Sequence, residues 1–284
     1  MSNEIRLLSL EDFSFLKAMD TGIKDDYVER IFPKLVSGPN RLFGLFRDGR
    51  LASVGGYTIF AKHYAMMGRI RSDRRDRGNN FSTELTLHIK EQAFQHPGIK
   101  WIGANTQEEN APARRVLEKS GLNEQATLFG AITQDVSMLE KSSTVWKEIH
   151  ELPQKKAWLD QVYVKPNAIF PYECYYLLPA SEDLFADKDL EQWAFYENES
   201  KTRVLIAKKD VKKHHYLHAV YPWNDLAEQN GLWETISAAF KKIKKTEEEM
   251  FIWFDLTKEQ VQSLPANHSF TLPSPWILYS TTTP

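Results

Sequence analysis

Between residues 63 and 122 the spacing of apolar residues changes character repeatedly, and the order of those changes leaves few folds open. HYAMMGRIRS (63–72) reads as an extended strand that continues a sheet built before it. The loop RRDRGNNFSTEL (74–85) then leads into a segment in which Phe81, Leu85, Ile89 and Ala93 recur every fourth residue, the spacing of one helical face. His96-Pro97-Gly98 ends that helix, and IKWIGA (99–104) is a compact strand of the buried kind. Asn110 to Ser120 forms a second helix closed by Gly121. A strand, a crossover helix and a second strand in this order make a right-handed unit, so the strands at 68–72 and 99–104 are expected to be parallel neighbours in one sheet.

The flanking sequence extends this sheet. Residues 4–9 are a short strand, and the segment from Glu11 to Gly22 is helical. Asp48-Gly49 supplies a positive-φ turn between two apolar runs, which predicts a hairpin, and Thr127 to Val136 adds a further strand. From Ser137 to Lys156 the composition turns polar, which predicts a connector and places domains at 1–136 and 157–284. Seven of the eight tryptophans lie at 146 or later. The second part is expected to contain strands at 158–164 (WLDQVYV) and 175–179, and a helix over Leu184 to Tyr196. A hairpin over 203–221, a helix over 232–244, a strand at 250–256, a short helix over 257–264 and a strand at 276–282 then follow. That order echoes the first part without an arginine-glycine loop, as a degenerate internal repeat would. The fold class is therefore α/β (α+β), a mixed central sheet flanked by helices followed by a second, smaller α/β domain.

Composition narrows the function. Lys+Arg 36 against Asp+Glu 38 gives a formal charge of −2, so no global field favours nucleic acid, and no 18-residue apolar run suggests a membrane span. Without a recognisable leader segment, the expected location is cytoplasmic. Cys174 is the only cysteine and is read as a small buried side chain on a strand. His214 and His218 share a strand face with no third ligand nearby in sequence, so no metal site is expected. The run KKIKKTEEE (241–249) is expected to be a solvated helix end.

The loop before the first crossover helix is the strongest chemical signal. A helix start leaves N–H groups unpaired and carries partial positive charge, which suits a pyrophosphate. Gly78 permits close backbone approach, Asn79 and Asn80 tolerate unusual φ, and Arg71, Arg74, Arg75 and Arg77 add positive potential. A second motif lies downstream. ANTQEENAPARRVLEKSGL (104–122) places Asn105 at a strand end, Asn110 at a helix cap, and Glu118-Lys119-Ser120-Gly121-Leu122 at the helix close.

Together the two motifs resemble the GCN5-related N-acetyltransferase (GNAT) superfamily over residues about 1–135. The resemblance implies that Arg77, Gly78, Asn79, Asn80, Phe81, Ser82 and Thr83 wrap the pyrophosphate of coenzyme A. It further implies that Ile70, Arg71 and Ser72 flank the pantetheine arm, that Asn105 and Asn110 face the cofactor, and that the two parallel strands splay apart to admit the thioester. Asn80 stands where the motif usually has a glycine, Ser82 where it has glycine or alanine, and Leu117 where many members carry a proton-donating tyrosine. Tyr64, Asp73 and Glu108 are the alternative proton carriers. The implied activity is acetyl-CoA-dependent N-acetyl transfer to a primary amine of a small molecule; the alternative is a non-catalytic acyl-CoA-binding or regulatory protein on the same fold. The sequence leaves the oligomeric state and the acceptor open.

Overall fold

The computed structural model describes residues 3–244 and 249–282. Its chain runs β1 (Asn3–Leu7), α1 (Phe13–Lys17), α2 (Tyr27–Leu35), β2 (Asn40–Arg47), β3 (Arg50–Phe60), β4 (Tyr64–Ser72), α3 (Phe81–Gln95), β5 (Trp101–Gln107), α4 (Ala111–Lys119) and β6 (Asn123–Thr133). It continues with β7 (Lys147–Ile149), α5 (Leu152–Leu159), β8 (Ile169–Glu173), β9 (Tyr176–Pro179), α6 (Asp187–Leu190), β10 (Ala194–Glu197) and β11 (Val204–Val211). The last elements are β12 (His215–Val220), α7 (Leu232–Lys244), β13 (Met250–Leu256), α8 (Lys258–Ser263) and β14 (Trp276–Thr282). Two units result. Ala126–Ile277 make the second, and the chain before and after that stretch makes the first.

In the first unit the strand order is β1-β2-β3-β4-β5-β14. Asp48 (φ 49°) and Gly49 (φ 75°) both take the left-handed conformation that a two-residue hairpin demands, closing the Arg47↔Arg50 pair between β2 and β3. β4 and β5 are parallel, as the crossover requires. α3 buries Phe81, Leu85, Ile89 and Ala93 against this sheet. An element not expected from the residue pattern is α2, whose Val28, Phe32 and Leu35 build a cluster with Leu42, Phe46 and Val54.

The second unit has the order β6-β13-β12-β11-β10-β7, with β8 and β9 as a separate ribbon. Its centre repeats the arrangement of the first: an antiparallel hairpin (β11-β12), then a helix (α7), then a parallel strand (β13). β6 pairs antiparallel with β13, whereas β14, the last strand in sequence, lies beside β5. Each half of the chain thus sends its final strand to the other unit's sheet.

Three expectations differ from the structure. The segment at 137–156 is packed into the second unit: Leu139 and Trp146 join its core, Trp146 Nε1 donates to the Asn230 carbonyl at 2.8 Å, and the Glu234 carboxylate accepts from the N–H of Lys141 at 2.7 Å. Its polar residues serve the start of α7. WLDQVYV is helical, because Lys155, Trp158, Leu159 and Tyr163 are buried at helical spacing despite their strand-like composition. The expected helix over 184–196 is mostly the short α6 followed by β10, since pairing with β11 and β7 overrides local propensity. The charged run at 241–249 closes α7 with its first four residues, and 245–248 lie outside the described residues. Among the described residues no helix is long and apolar enough to cross a membrane.

Leu278 and Tyr279 of β14 are buried in full. Truncating the chain after Ile277 is therefore expected to destabilise the first unit by about 4 kcal/mol or more. Denaturant unfolding would show the loss, and an unchanged midpoint would contradict the placement of β14.

Candidate functional site

The site begins where strand pairing stops. β4 and β5 hold register from Tyr64↔Trp101 to Met67↔Ala104 and no further, although β4 continues to Ser72 and β5 to Gln107. Burial changes at the same point: residues 64–67 are buried, and 68–72 are half-buried. A bulge in the β3–β4 ladder shifts the register between Val54 and Gly56, and Arg69 takes φ 60° there. Next to the last paired residue, Asn105 donates from Nδ2 to Met66 Sδ at 3.5 Å, while its Oδ1 is buried with no hydrogen-bond partner. A buried acceptor left in that state costs about 1–3 kcal/mol, which marks this position as one that a donor would complete.

Beyond the open end of β4 lies the loop. Gly78 adopts φ 88°, and a Cβ placed on it would meet nothing within 4 Å. Asn80 is also left-handed, at φ 59° and ψ 14°. This explains why asparagine replaces the usual glycine there: it is among the residues best able to hold that conformation. The Asn80 carbonyl accepts from the N–H groups of Thr83 and Glu84 at 2.9 and 3.0 Å, and the N–H groups at 78–82 find no backbone acceptor among the described residues. Ser82 Oγ lies 2.5 Å from Ser72 Oγ, so its hydroxyl ties α3 to β4.

These groups border a cleft of about 180 Å³ between the start of α3 and α4. Of the residues expected to hold phosphates, Arg77, Gly78, Asn80, Phe81, Ser82 and Thr83 line it, and so does Ser72, expected beside the pantetheine arm. Asn79 turns its side chain to the Asp76 carbonyl at 3.0 Å. Asn110 caps α4, accepting from Ala113 N–H at 3.3 Å, and Ile70 packs over Gly55. Neither is in the cleft lining. Two cations that the sequence analysis did not single out, Arg115 and Lys119 of α4, do line it. Their i, i+4 spacing on one helical face was the available signal. Asp76 also lines the cleft, with Arg50 and Arg47 at 3.6 and 3.7 Å to offset its charge.

The arginines themselves divide differently from the expectation. Arg71 turns to Asp26, donating from Nε at 2.6 Å and from Nη2 at 3.0 Å, and its side chain belongs to that pair. Burial raises the Asp26 carboxyl, but the Arg71 fork and the Val28 N–H outweigh it and hold the group below its ordinary value. Arg74 donates to the Gly22 carbonyl at 3.3 Å, and Arg75 pairs with Asp73. Of these four, Arg77 alone lines the cleft, and it too donates to the earlier segment, at the Thr21 carbonyl, 3.5 Å away. The others join the turn at 73–77 to the segment at 18–26.

The proton-carrier candidates separate in the same way. Asp73 is fully buried and accepts from the Arg75 guanidinium, from Arg75 N–H at 2.9 Å and from Asp20 N–H at 3.2 Å. The Arg75 side chain first, and those backbone donors after it, hold Asp73 well below the carboxylate range, so it cannot serve as a base near neutral pH. Tyr64 is buried edge-on against Trp101, ring centres 5.7 Å apart, within the paired part of the strands. Glu108 is exposed beyond the end of β5. Leu117 is buried. A phenol that the sequence analysis missed, Tyr279 of β14, accepts from Arg114 Nε at 3.1 Å and donates to Glu118 Oε1 at 3.3 Å. Sequence separation hid it.

Residues 25–123 match the family model described as an acetyltransferase (GNAT) domain. A GCN5-related N-acetyltransferase from Sphaerobacter thermophilus has a similar fold, with TM-score 0.62 at 12% identity, covering 99% of this chain and 95% of that one. A protein from Thermoplasma acidophilum classed with the acetyltransferases gives TM-score 0.54 at 13% identity, covering 97% and 91%. One from Pyrococcus horikoshii, classed likewise, gives 0.54 at 9%, covering 99% and 90%. At these identities the likeness is one of fold. No curated protein matches the chain in sequence.

Because the folded Asp73 carboxyl is depressed, its stabilising contribution is complete above the unfolded value near ~4 and is lost as pH falls through the folded value. Asp73→Asn is expected to cost about 2 kcal/mol at neutral pH, with the difference from the parent shrinking below pH ~4 in acid-dependent unfolding.

Proposed function

We propose that this chain, whose residues 25–123 form a GNAT acetyltransferase domain, transfers an acetyl group from acetyl-CoA to the primary amine of a small molecule. The observation that carries this reading is the coincidence of two features: parallel strands that stop pairing at Met67↔Ala104, and a left-handed loop at 78–80 beyond the open end of β4. Coenzyme A, when bound, supplies the acetyl group as a thioester.

The residues present suit it. The space over Gly78 and the unpaired N–H groups at 78–82 fit phosphate oxygens, and Arg77, Arg115 and Lys119 balance their charge. Asn105 Oδ1 suits an amide donor such as the pantetheine arm carries. The bulge at 69–70 turns backbone away from the ladder, where an N–H can polarise a carbonyl whatever the side chain. Glu108 is the one candidate with a solvent-accessible carboxylate to take the acceptor's proton, directly or through one water. A formal charge of −2 gives no long-range attraction for a nucleic acid, which suits a soluble, cytoplasmic setting.

A second reading follows from the buried Leu117 at the usual tyrosine position and from the Asp73–Arg75 pair: coenzyme binding without turnover. Calorimetry with acetyl-CoA, followed by a panel of amines with free-thiol release as the readout, separates the two. Binding with release on any primary amine supports transfer, and binding with none supports the second reading. Absence of binding at millimolar ligand overturns both.

Gly78→Asp sets a negative side chain over the cleft without a clash, and is expected to weaken coenzyme binding at least tenfold with only about 1 kcal/mol lost from stability. Arg115→Ala with Lys119→Ala is expected to weaken binding most at low salt, which titrations across ionic strength would show.

A further inference from the structure

One face of the second unit's sheet carries side chains for which the transfer reaction has no use. The registers pair Asp210 with Tyr216, Lys208 with His218, and His218 with Trp253. Strand alternation therefore sets Lys208 and Asp210 on β11, Tyr216 and His218 on β12, and Trp253 and Asp255 on β13 on a common face. Cys174, in the turn between β8 and β9, packs on Tyr216 and Trp253. Its sulfur, a carboxylate oxygen of Asp210 and a ring nitrogen of His218 all lie within 4.8 Å of one another. Cys174 and His218 have no exposed surface.

The histidine supplies a second observation. Its Nε2 is 2.6 Å from Asp255 Oδ2, and its Nδ1 is buried with no hydrogen-bond partner among the described residues. A carboxylate that fixes one ring nitrogen while the other is left for a ligand is the arrangement found around metal-bound imidazoles. Asp210 is held in place, accepting from Cys174 N–H at 2.6 Å and from Val211 N–H at 2.7 Å, with Lys212 Nζ 3.6 Å away. Lys208, opposite His218 in register, donates to the carbonyls of Pro171 and Tyr172 at 2.6 Å each.

We propose that Cys174, Asp210 and His218, the last through Nδ1, bind a divalent zinc-type ion in the second unit. Thiolate, imidazole and carboxylate are the donor types such an ion takes, and one thiolate with one carboxylate neutralises its charge. Binding replaces the S–H bond of Cys174 with a sulfur–metal bond and releases that proton to solvent. Three protein donors leave a fourth tetrahedral position for an exogenous ligand. Asp255 orients the imidazole. His214, the other histidine of the sequence pattern, is turned to Glu249 at 3.3 Å, and the other donors are Cys174 in the β8–β9 turn and Asp210 on β11.

The full chain purified without chelator is expected to carry about one equivalent of zinc by elemental analysis. Refolded from denaturant with equimolar Co(II), it is expected to develop a thiolate-to-cobalt charge-transfer band. Cys174 is the only thiol in the chain, so that band has one possible source. Cys174→Ser should abolish the band, and Asp255→Asn, which keeps all three ligands, should weaken zinc binding about 10- to 100-fold. Circular dichroism reports whether each variant folds; if Cys174→Ser does not fold, the parent band decides. No band on refolding with Co(II), or zinc retained equally by folded Cys174→Ser, would overturn the proposal.

Discussion

The first unit depends on a parallel pair that comes apart. Four residues of β4 pair with four of β5, and the strands then continue without each other. The pairing anchors the crossover helix α3, and its end opens the sheet where ligands of parallel sheets usually bind, outside the carboxyl ends of the strands. The bulge with Arg69, the orphaned Asn105 oxygen and the left-handed loop all lie near this interruption. Tighter pairing would gain a few ladder bonds and close the site.

Around it, charge is used mainly to shape the backbone. Arg71 with Asp26, Arg75 with the Ala18 carbonyl, and Arg74 with the Gly22 carbonyl join the end of β4 and the turn after it to the start of α2 and the segment before it. The turn's few backbone bonds, such as Asp76 N–H to the Asp73 carbonyl, are thus supplemented by side chains reaching to the neighbouring segment. The cleft's cations come from Arg77 and from α4.

The legible part of the sequence was whatever periodicity or turn chemistry fixes locally. The Asp48-Gly49 hairpin, the four-residue repeat of α3, the parallel crossover and the Asn110 cap are of this kind, and Gly78 and Asn80 declared their conformation by residue type. Partners set by tertiary contact were hidden. Nothing in RIRSDRRDRG (69–78) says which arginine has an acid 45 residues upstream, and nothing near Leu117 announces the phenol of Tyr279. The metal-type cluster shows the same limit, since β11, β12 and β13 must pair before Asp210, His218 and Asp255 share a face. WLDQVYV failed for the reverse reason: its composition suits a strand, and only its burial period reveals the helix.

The two units share one plan of hairpin, crossover helix and parallel strand, yet the chain distributes their last strands crosswise. Residues from Leu278 on complete a sheet whose other five strands end at Gln107. During synthesis the first unit therefore waits with an open edge beside β5 until the entire second unit has left the ribosome. The half that emerges first is the half that is finished last, and the vulnerable interval for the nascent chain lies at that exposed edge.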